Sequence, residues 1–427
     1  MVDISRDPRW GRVMEGAGED TYLGSQIAKA RIKGFQGEKL GGTDAVMATA
    51  KHFAAYGAAV AGRDYNAVDM SDHMLWETYL HRVFAREVAE KSIVLLKNET
   101  STLPLAKKTK KVALIEPLIK AKRDLDGSWT VQADTTEIVS LFEEIEEKVS
   151  KQTQLLYAKG CDVNCTSSDG FAAAIAAAKQ ADVVVMALGE TWDMSGEAKS
   201  RTDLGLPGQQ EALYNAIKAT GKPIVVVLMA GRPMIFNEIA DDAPAILYAW
   251  WLGSEAGNAI ANVIFGDYNP SGKLPITFPR SVGQIPISYS HQNTGRPVTD
   301  PQNIVYRSAY IDSPNTPRYA FGYGLSYTTF SYSNLKVSKK AITTGETAEF
   351  SFTLKNTGKT AGEEVVQLYI QDLVASVVRP VKELKDFQKV MLSQVKVKPL
   401  HLSLMKKNYP SLIASFSGER SLASLKS

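Results

Sequence analysis

Cysteine is almost missing from this chain, with two in 427 residues, Cys161 and Cys165. Their spacing could close a small disulfide or contribute to a metal site. No histidine or further cysteine clusters near them, so two plain thiols are the expectation. Histidine is scarce as well, five in all. The chain has no HExxH element, no Walker loop and no Gly-x-Ser-x-Gly element, which removes the sequence signals of a zincin, a P-loop enzyme and an α/β-hydrolase. Gly322-Tyr323-Gly324 is a lone Gly-x-Gly with no strand before it, and does not make a nucleotide fingerprint. No apolar run is long enough to span a bilayer. The first thirty residues are charged and lack the apolar core of a signal peptide. A surplus of one charge sign is also lacking. The net charge of +3 argues for neither nucleic acid nor an anionic membrane as partner. A hydrophobic content of 44% and a charged content of 22% are ordinary for a globular protein. The length accommodates about two to four domains, and there is no internal repeat.

The densest chemistry lies at the start. Asp7-Pro8-Arg9-Trp10-Gly11-Arg12, followed by Glu15 and Gly18-Glu19-Asp20, combines charge, Trp, Pro and Gly within fourteen residues. Such a loop suits a polyhydroxylated ligand, because Trp offers a flat face and Arg a planar donor fork. A loop of this kind needs a structured element before it, so the chain reads as beginning inside a domain. Residues 1–84 follow a helix–strand–loop–helix order, with a helix around Tyr22–Phe35, a short apolar run Val46–Ala50 ending in Lys51-His52, and a helix over Asp72–Phe84.

Beyond a connection at 85–111, residues 112–287 carry continuous apolar runs at Val112–Ile115, Gln154–Tyr157, Asp182–Leu188, Pro223–Ala230 and Ala245–Trp250. Helical segments alternate with them at Phe171–Gln180, Gly208–Thr220 and Glu255–Phe265. Strands of unbroken Val and Ile are buried on both faces, which implies parallel strands layered between helices. This is the pattern of a doubly wound α/β sandwich, whose ligands sit beyond the carboxyl ends of the strands. The loops after Leu188 and Ala230 are therefore the places to look. Residues 288–334, rich in Pro, Tyr, Asn and Gly, read as a connecting segment. From 335 the period becomes two, in Ala348–Leu354 and Glu364–Ile370 with a Gly/Asn turn between, which argues for a small antiparallel sandwich. Only four or five strands can be counted where about seven are needed. The tail from 393 is atypical, so the sandwich is expected to be incomplete.

The loop after Leu188 runs from Gly189 to Gln210 and holds four carboxylates: Glu190, Asp193, Glu197 and Asp203. A Glu on a Gly-bounded loop suits general acid/base work, although a solvated surface loop would read the same way. Lys51 and His52 end a strand and could donate to sugar hydroxyls or a phosphate; a packed His and a surface Lys are the competing reading. Gly62-Arg63-Asp64-Tyr65-Asn66 reads as a turn.

In order along the chain, several blocks resemble the bacterial β-glucosidases of glycoside hydrolase family 3. They are Asp7–Arg12 with Gly18–Leu23, Lys51–Gly57, Gly62–Asn66, Glu77–Leu80, Ser92–Asn98, Gly127-Ser128-Trp129, Ser195-Gly196-Glu197-Ala198 with Ser200–Asp203, and Phe321–Tyr327. The resemblance runs to about Leu392. It implies a (β/α)8 barrel, an (α/β)6 sandwich and a fibronectin-type-III-like domain. It also implies removal of β-linked glucose, and sometimes xylose, from chain ends with retention, without a cofactor. By resemblance, Glu197 is the acid/base, while Arg12, Lys51 and His52 hold sugar hydroxyls. The implied partner is a β-linked oligosaccharide or glycoside.

The chain departs from the family pattern in the barrel. The family's nucleophile is an Asp in a Ser-Asp-Trp element late in the barrel, yet here the helix ending at Phe84 runs straight into the linker, so the nucleophile is absent. Ser71-Asp72 has the flanks of an earlier family segment, and Asp72 reads as a helix N-cap. Asp64 and Asp72 are the remaining candidates for a carboxylate near the sugar. The expected architecture is α/β: a partial (β/α) barrel remnant in 1–84, a linker in 85–111, the sandwich domain in 112–287, the connecting segment in 288–334 and an incomplete fibronectin-type-III-like domain in 335–427. A few βα units cannot close an eight-stranded ring, so 1–84 is expected to pack irregularly on the sandwich domain or to be mobile, and exposed open edges favour self-association. The expected activity is that of an impaired exo-β-glucosidase, with a non-catalytic sugar-binding or structural remnant as the alternative.

Overall fold

The Val/Ile runs form a six-stranded sheet. In a computed structural model of the chain, the described residues are 3–36, 59–65, 86–128, 135, 138–253, 255–298, 302–339, 346–372, 377–393, 397–405, 412–416 and 422–425. The sheet's strands are β1 (Val94–Asn98), β2 (Lys111–Ile115), β3 (Gln154–Ala158), β4 (Val183–Gly189), β5 (Ile224–Met229) and β6 (Ala245–Tyr248). Their spatial order is β1-β6-β5-β4-β2-β3. All neighbouring pairs are parallel except β1 with β6. The sequence reading put no strand between 85 and 111; the structure adds β1 there as an antiparallel edge, with Val94 opposite Tyr248.

Every residue of β4 and β5 is buried, as strands covered on both faces must be. Alternate side chains serve opposite layers. Val184, Met186 and Leu188 join one core with Ala174, Leu213, Ile217 and Ile239 of the helices Phe171–Gln180, Gln210–Lys218 and Asn237–Asp242. Val183, Val185 and Ala187 join the other with Leu141, Ile145, Ile260 and Ile264 of the helices Leu141–Lys148 and Ala256–Phe265. The helix Leu141–Lys148 escaped the sequence reading. Its signal was a capping box, in which the Ser140 side chain accepts from the Glu143 backbone and the Glu143 side chain accepts from the Ser140 backbone. The strand order reverses between β2 and β4, so the loop leaving β4 starts at the switch point of the sheet.

The second body has seven strands among the described residues: β7 (Phe330–Val337), β8 (Thr347–Asn356), β9 (Gly362–Asp372), β10 (Glu383–Leu392), β11 (Val397–Met405), β12 (Leu412–Phe416) and β13 (Leu422–Leu425). They make one sheet in the order β10-β9-β12-β13 and another in the order β11-β8-β7. This corrects the expectation of an incomplete sandwich: three strands lie beyond 393, the first where 393–402 alternates only a little and the others where turn signals are lacking. The segments β8 and β9 do not pair with each other. They lie in opposite sheets, and Phe350, Phe352 and Leu354 pack across the core from Val366, Leu368 and Ile370.

The described part of 1–84 contains the helix Thr21–Gln36 and two short 3₁₀ turns, with no strand. It does not show a barrel remnant. The strand expected at 46–50 and the helix expected at 72–84 lie outside the described residues. The opening segment packs on the sandwich domain, with Trp10 and Val13 inside its core. Glu19 is fully buried. Its carboxylate accepts from the Thr277 backbone at 3.0 Å and hydroxyl at 2.7 Å, and from the Tyr289 backbone at 3.3 Å. Burial pushes Glu19 up to about 7 against the pull of these bonds. Beside it the Tyr289 hydroxyl donates to Asp20 at 2.6 Å and accepts from the Leu384 backbone at 3.1 Å, joining this segment to β10.

Cys161 and Cys165 are joined in a disulfide, with Cα atoms 5.1 Å apart. The expectation of plain thiols is corrected. Composition could not reveal that the turn after β3 brings the two Cβ atoms face to face.

Candidate active site

Three segments that are distant in sequence meet beyond the carboxyl end of β4: residues 7–12, 62–65 and 194–201. Gly196 N donates to Gly11 O at 2.5 Å and Arg201 N donates to Arg9 O at 3.0 Å. The approach is close because both crossing residues are glycines. A Cβ on Gly11 would overlap the Gly196 carbonyl, and Gly196 itself has φ +128°, a region open to glycine alone among common residues.

Asp64 fastens the third segment. One oxygen accepts from Trp10 Nε1 at 2.9 Å and the other from Ala198 N at 2.5 Å. Ser200 completes the junction, accepting from Asp64 N at 3.1 Å and donating to Gly62 O at 2.5 Å. The turn expected over 62–66 is present at its described residues, 62–65. Trp10, expected to offer a face to ligand, is fully buried and cannot do so; it is a core anchor whose indole N–H is satisfied by Asp64.

Within this junction the structure brings together two of the residues singled out in sequence. Arg12 Nη1 lies 3.8 Å from Glu197 Oε2. The guanidinium is 1% exposed and is fixed by a two-pronged contact with Glu15, at 2.8 and 2.9 Å. The Glu197 side chain remains 41% exposed. An exposed carboxyl beside a fixed, buried cation can exchange protons with solvent or a bound group while its position is defined. Tyr65, 67% exposed, donates its hydroxyl to Glu197. That hydrogen bond raises the Tyr65 phenol above its ordinary value. Lys51, His52 and Asp72 lie outside the described residues.

Of the residues that hold the loop, Glu190 was named in sequence only as one of its four carboxylates, Ser195 and Arg201 only within a family block, and Arg232 not at all. Glu190 is fully buried at the start of the loop, accepting from Arg201 at 2.7 Å and from Ser195 Oγ at 2.9 Å. Arg232, also fully buried, lies 3.2 Å from Glu190. The only sequence signal for Arg232 was its place just after Ala230, one of the two strand ends expected to matter. Among the described residues no cluster of three or more His, Cys, Asp or Glu could hold a metal ion. A cleft of about 760 Å³ opens near Val13, Ile27, Trp251 and Phe387. Its wall is largely apolar and includes neither Arg12 nor Glu197.

Comparison with known proteins agrees with this architecture. Residues 93–327 match the glycosyl hydrolase family 3 C-terminal domain, and residues 364–409 match a fibronectin type III-like domain. A periplasmic β-glucosidase of Salmonella typhimurium is 36% identical, over 92% of this chain and 73% of its own length. A β-xylosidase of Formosa agariphila is 42% identical over 76% of this chain, which spans less than half of that protein, 44%. A crystal structure of a Listeria innocua β-glucosidase in complex with glucose superposes with TM-score 0.90 at 30% identity, covering all of this chain and 80% of that one. A two-sided α/β sandwich with an acidic loop at its switch point, followed by a fibronectin-type sandwich, is thus the body of a glycosidase. The chain belongs to glycoside hydrolase family 3.

Proposed function

We propose that this chain is built as an exo-acting β-glucosidase-type hydrolase, taking terminal β-linked glucose and secondarily xylose, with turnover impaired by the missing nucleophile segment. The observation that carries this reading is the 3.8 Å approach of Arg12 to Glu197 across two loops that no local sequence relation connects. Glu197 is the acid/base. Arg12, with Lys51 and His52, is proposed to hold sugar hydroxyls, although its guanidinium is 1% exposed and paired with Glu15, which weighs against direct contact. Residues 1–84 are what remains of the domain that carries the sugar.

Retention needs a second carboxylate about 5–5.5 Å from the first. Asp64 is committed to Trp10 and Ala198, which argues against a free nucleophile at that position. The match to the Salmonella protein extends over 559 residues, more than this chain's 427. That relative therefore carries residues inside the match that this chain lacks, which supports an internal gap. The same observations favour a second reading, a carbohydrate-binding remnant without catalysis.

An aryl β-glucoside assay run beside calorimetric titration with glucose tests both. Hydrolysis blocked by Glu197→Gln supports the enzyme. Glucose binding without hydrolysis supports the remnant. Neither binding nor hydrolysis sinks both.

A further inference from the structure

Arg232 makes an arrangement of contacts that sequence spacing does not explain. Its Nη1 donates to Arg9 O at 2.9 Å. Its Nη2 donates to Met194 O at 2.5 Å and to Lys199 O at 2.7 Å. Its Nε donates to Ser195 Oγ at 3.2 Å and faces Glu190 at 3.3 Å. One planar fork therefore reaches the segment carrying Arg12 and both flanks of Glu197, from a fully buried position. The backbone of Arg232 is held in turn: Tyr248, fully buried in the core, donates its hydroxyl to Arg232 O.

We infer that Arg232 is a positioning residue, setting the Arg12–Glu197 spacing by tying both loops to the end of β5. Three carbonyls in three places need donors fixed in a plane, which a guanidinium supplies and an ammonium does not. Glu190 supplies the counter-charge that makes burying the guanidinium tolerable. The residue does not touch substrate; it acts through the two loops. The inference rests on the hydrolase reading for its consequence in catalysis, but its structural content can be measured without activity.

The test compares the full chain with Arg232→Lys and Glu197→Gln by amide hydrogen exchange and by hydrolysis of dinitrophenyl and methyl β-glucosides. The expected result is exchange at least tenfold faster at Gly196 and Arg201, whose amides bond Gly11 and Arg9, together with faster exchange across 9–12. Strands β4 and β5 should stay as protected as in the parent. Hydrolysis should fall much further for the methyl glucoside, which needs a placed acid, than for the dinitrophenyl glucoside, which does not. Unchanged exchange in either segment overturns the inference. A parent chain inert toward both glycosides overturns the hydrolase reading instead, and exchange still decides the role of Arg232. Should Arg232→Lys fail to fold, Glu190→Gln/Arg232→Met removes both buried charges together and gives the same exchange readout.

Discussion

Gly196 N donates to Gly11 O at 2.5 Å, and this bond between two loops almost two hundred residues apart closes the candidate site. Gly11→Ala would force the loops apart, since its Cβ meets the backbone of Gly196 and Lys199. We expect a loss of about 1–3 kcal/mol, the usual range for overpacking, together with weaker glucose binding. Urea denaturation and calorimetric titration measure the two effects. A variant as stable as the parent that binds sugar equally would show that the crossing is not needed.

Asp64→Ala removes the hydrogen bonds that the indole N–H of fully buried Trp10 and the Ala198 N–H donate to its carboxylate. A hydrogen bond to a charged group contributes about 1.5–3 kcal/mol. The midpoint of thermal unfolding should fall, and any hydrolysis should fall with it because Ala198 adjoins Glu197. If hydrolysis vanished while stability stayed unchanged, Asp64 would be a chemical participant and not an anchor.

Glu19 makes stability depend on pH in a defined direction. Its folded value, about 7, lies above the ordinary 4.5, so the folded chain binds the extra proton between these limits. Stability from this group is fully present below pH about 4.5 and is lost as pH rises through about 7. The full shift corresponds to at most about 3 kcal/mol. Asp20, raised mainly by burial, acts in the same sense. Glu19→Gln cannot ionise and should flatten the fall between pH 5 and 8 in urea titrations. An identical slope in parent and variant would remove Glu19 from the account.

The disulfide closes a very short loop, with a sequence separation of 4. Loop-closure entropy for so short a loop gives about 2 kcal/mol. Cys161→Ser/Cys165→Ser should lower stability by no more than this and leave glucose binding as it was, because the pair lies after β3 while Glu197 follows β4. Loss of binding in that variant would mean the turn is coupled to the site.

Much of the architecture was legible. Unbroken apolar strands such as Val183–Leu188 can only be buried on two faces, and the helix Phe171–Gln180 falls where its pattern put it. Composition was blind to β1 and to the last two strands, and gave only weak alternation for β11, because pairing partners far along the chain stabilise such strands, Val94 with Tyr248 and Val397 with Lys355. Arg12 and Glu197 were picked out through family resemblance, and the structure brings them within 3.8 Å.

Sequence alone determined the layers and their order, since hydrophobic periodicity records how many faces of each element must leave water. It also marked the loop after Leu188 as an acidic strand-end loop, within which family resemblance picks Glu197. Only the tertiary structure decided that Trp10 is buried beneath Asp64, that Cys161 meets Cys165, and that Arg232 grips the segments bearing Arg12 and Glu197. Those outcomes depend on distances between residues remote along the chain, and one-dimensional order carries no record of distance until the backbone has folded.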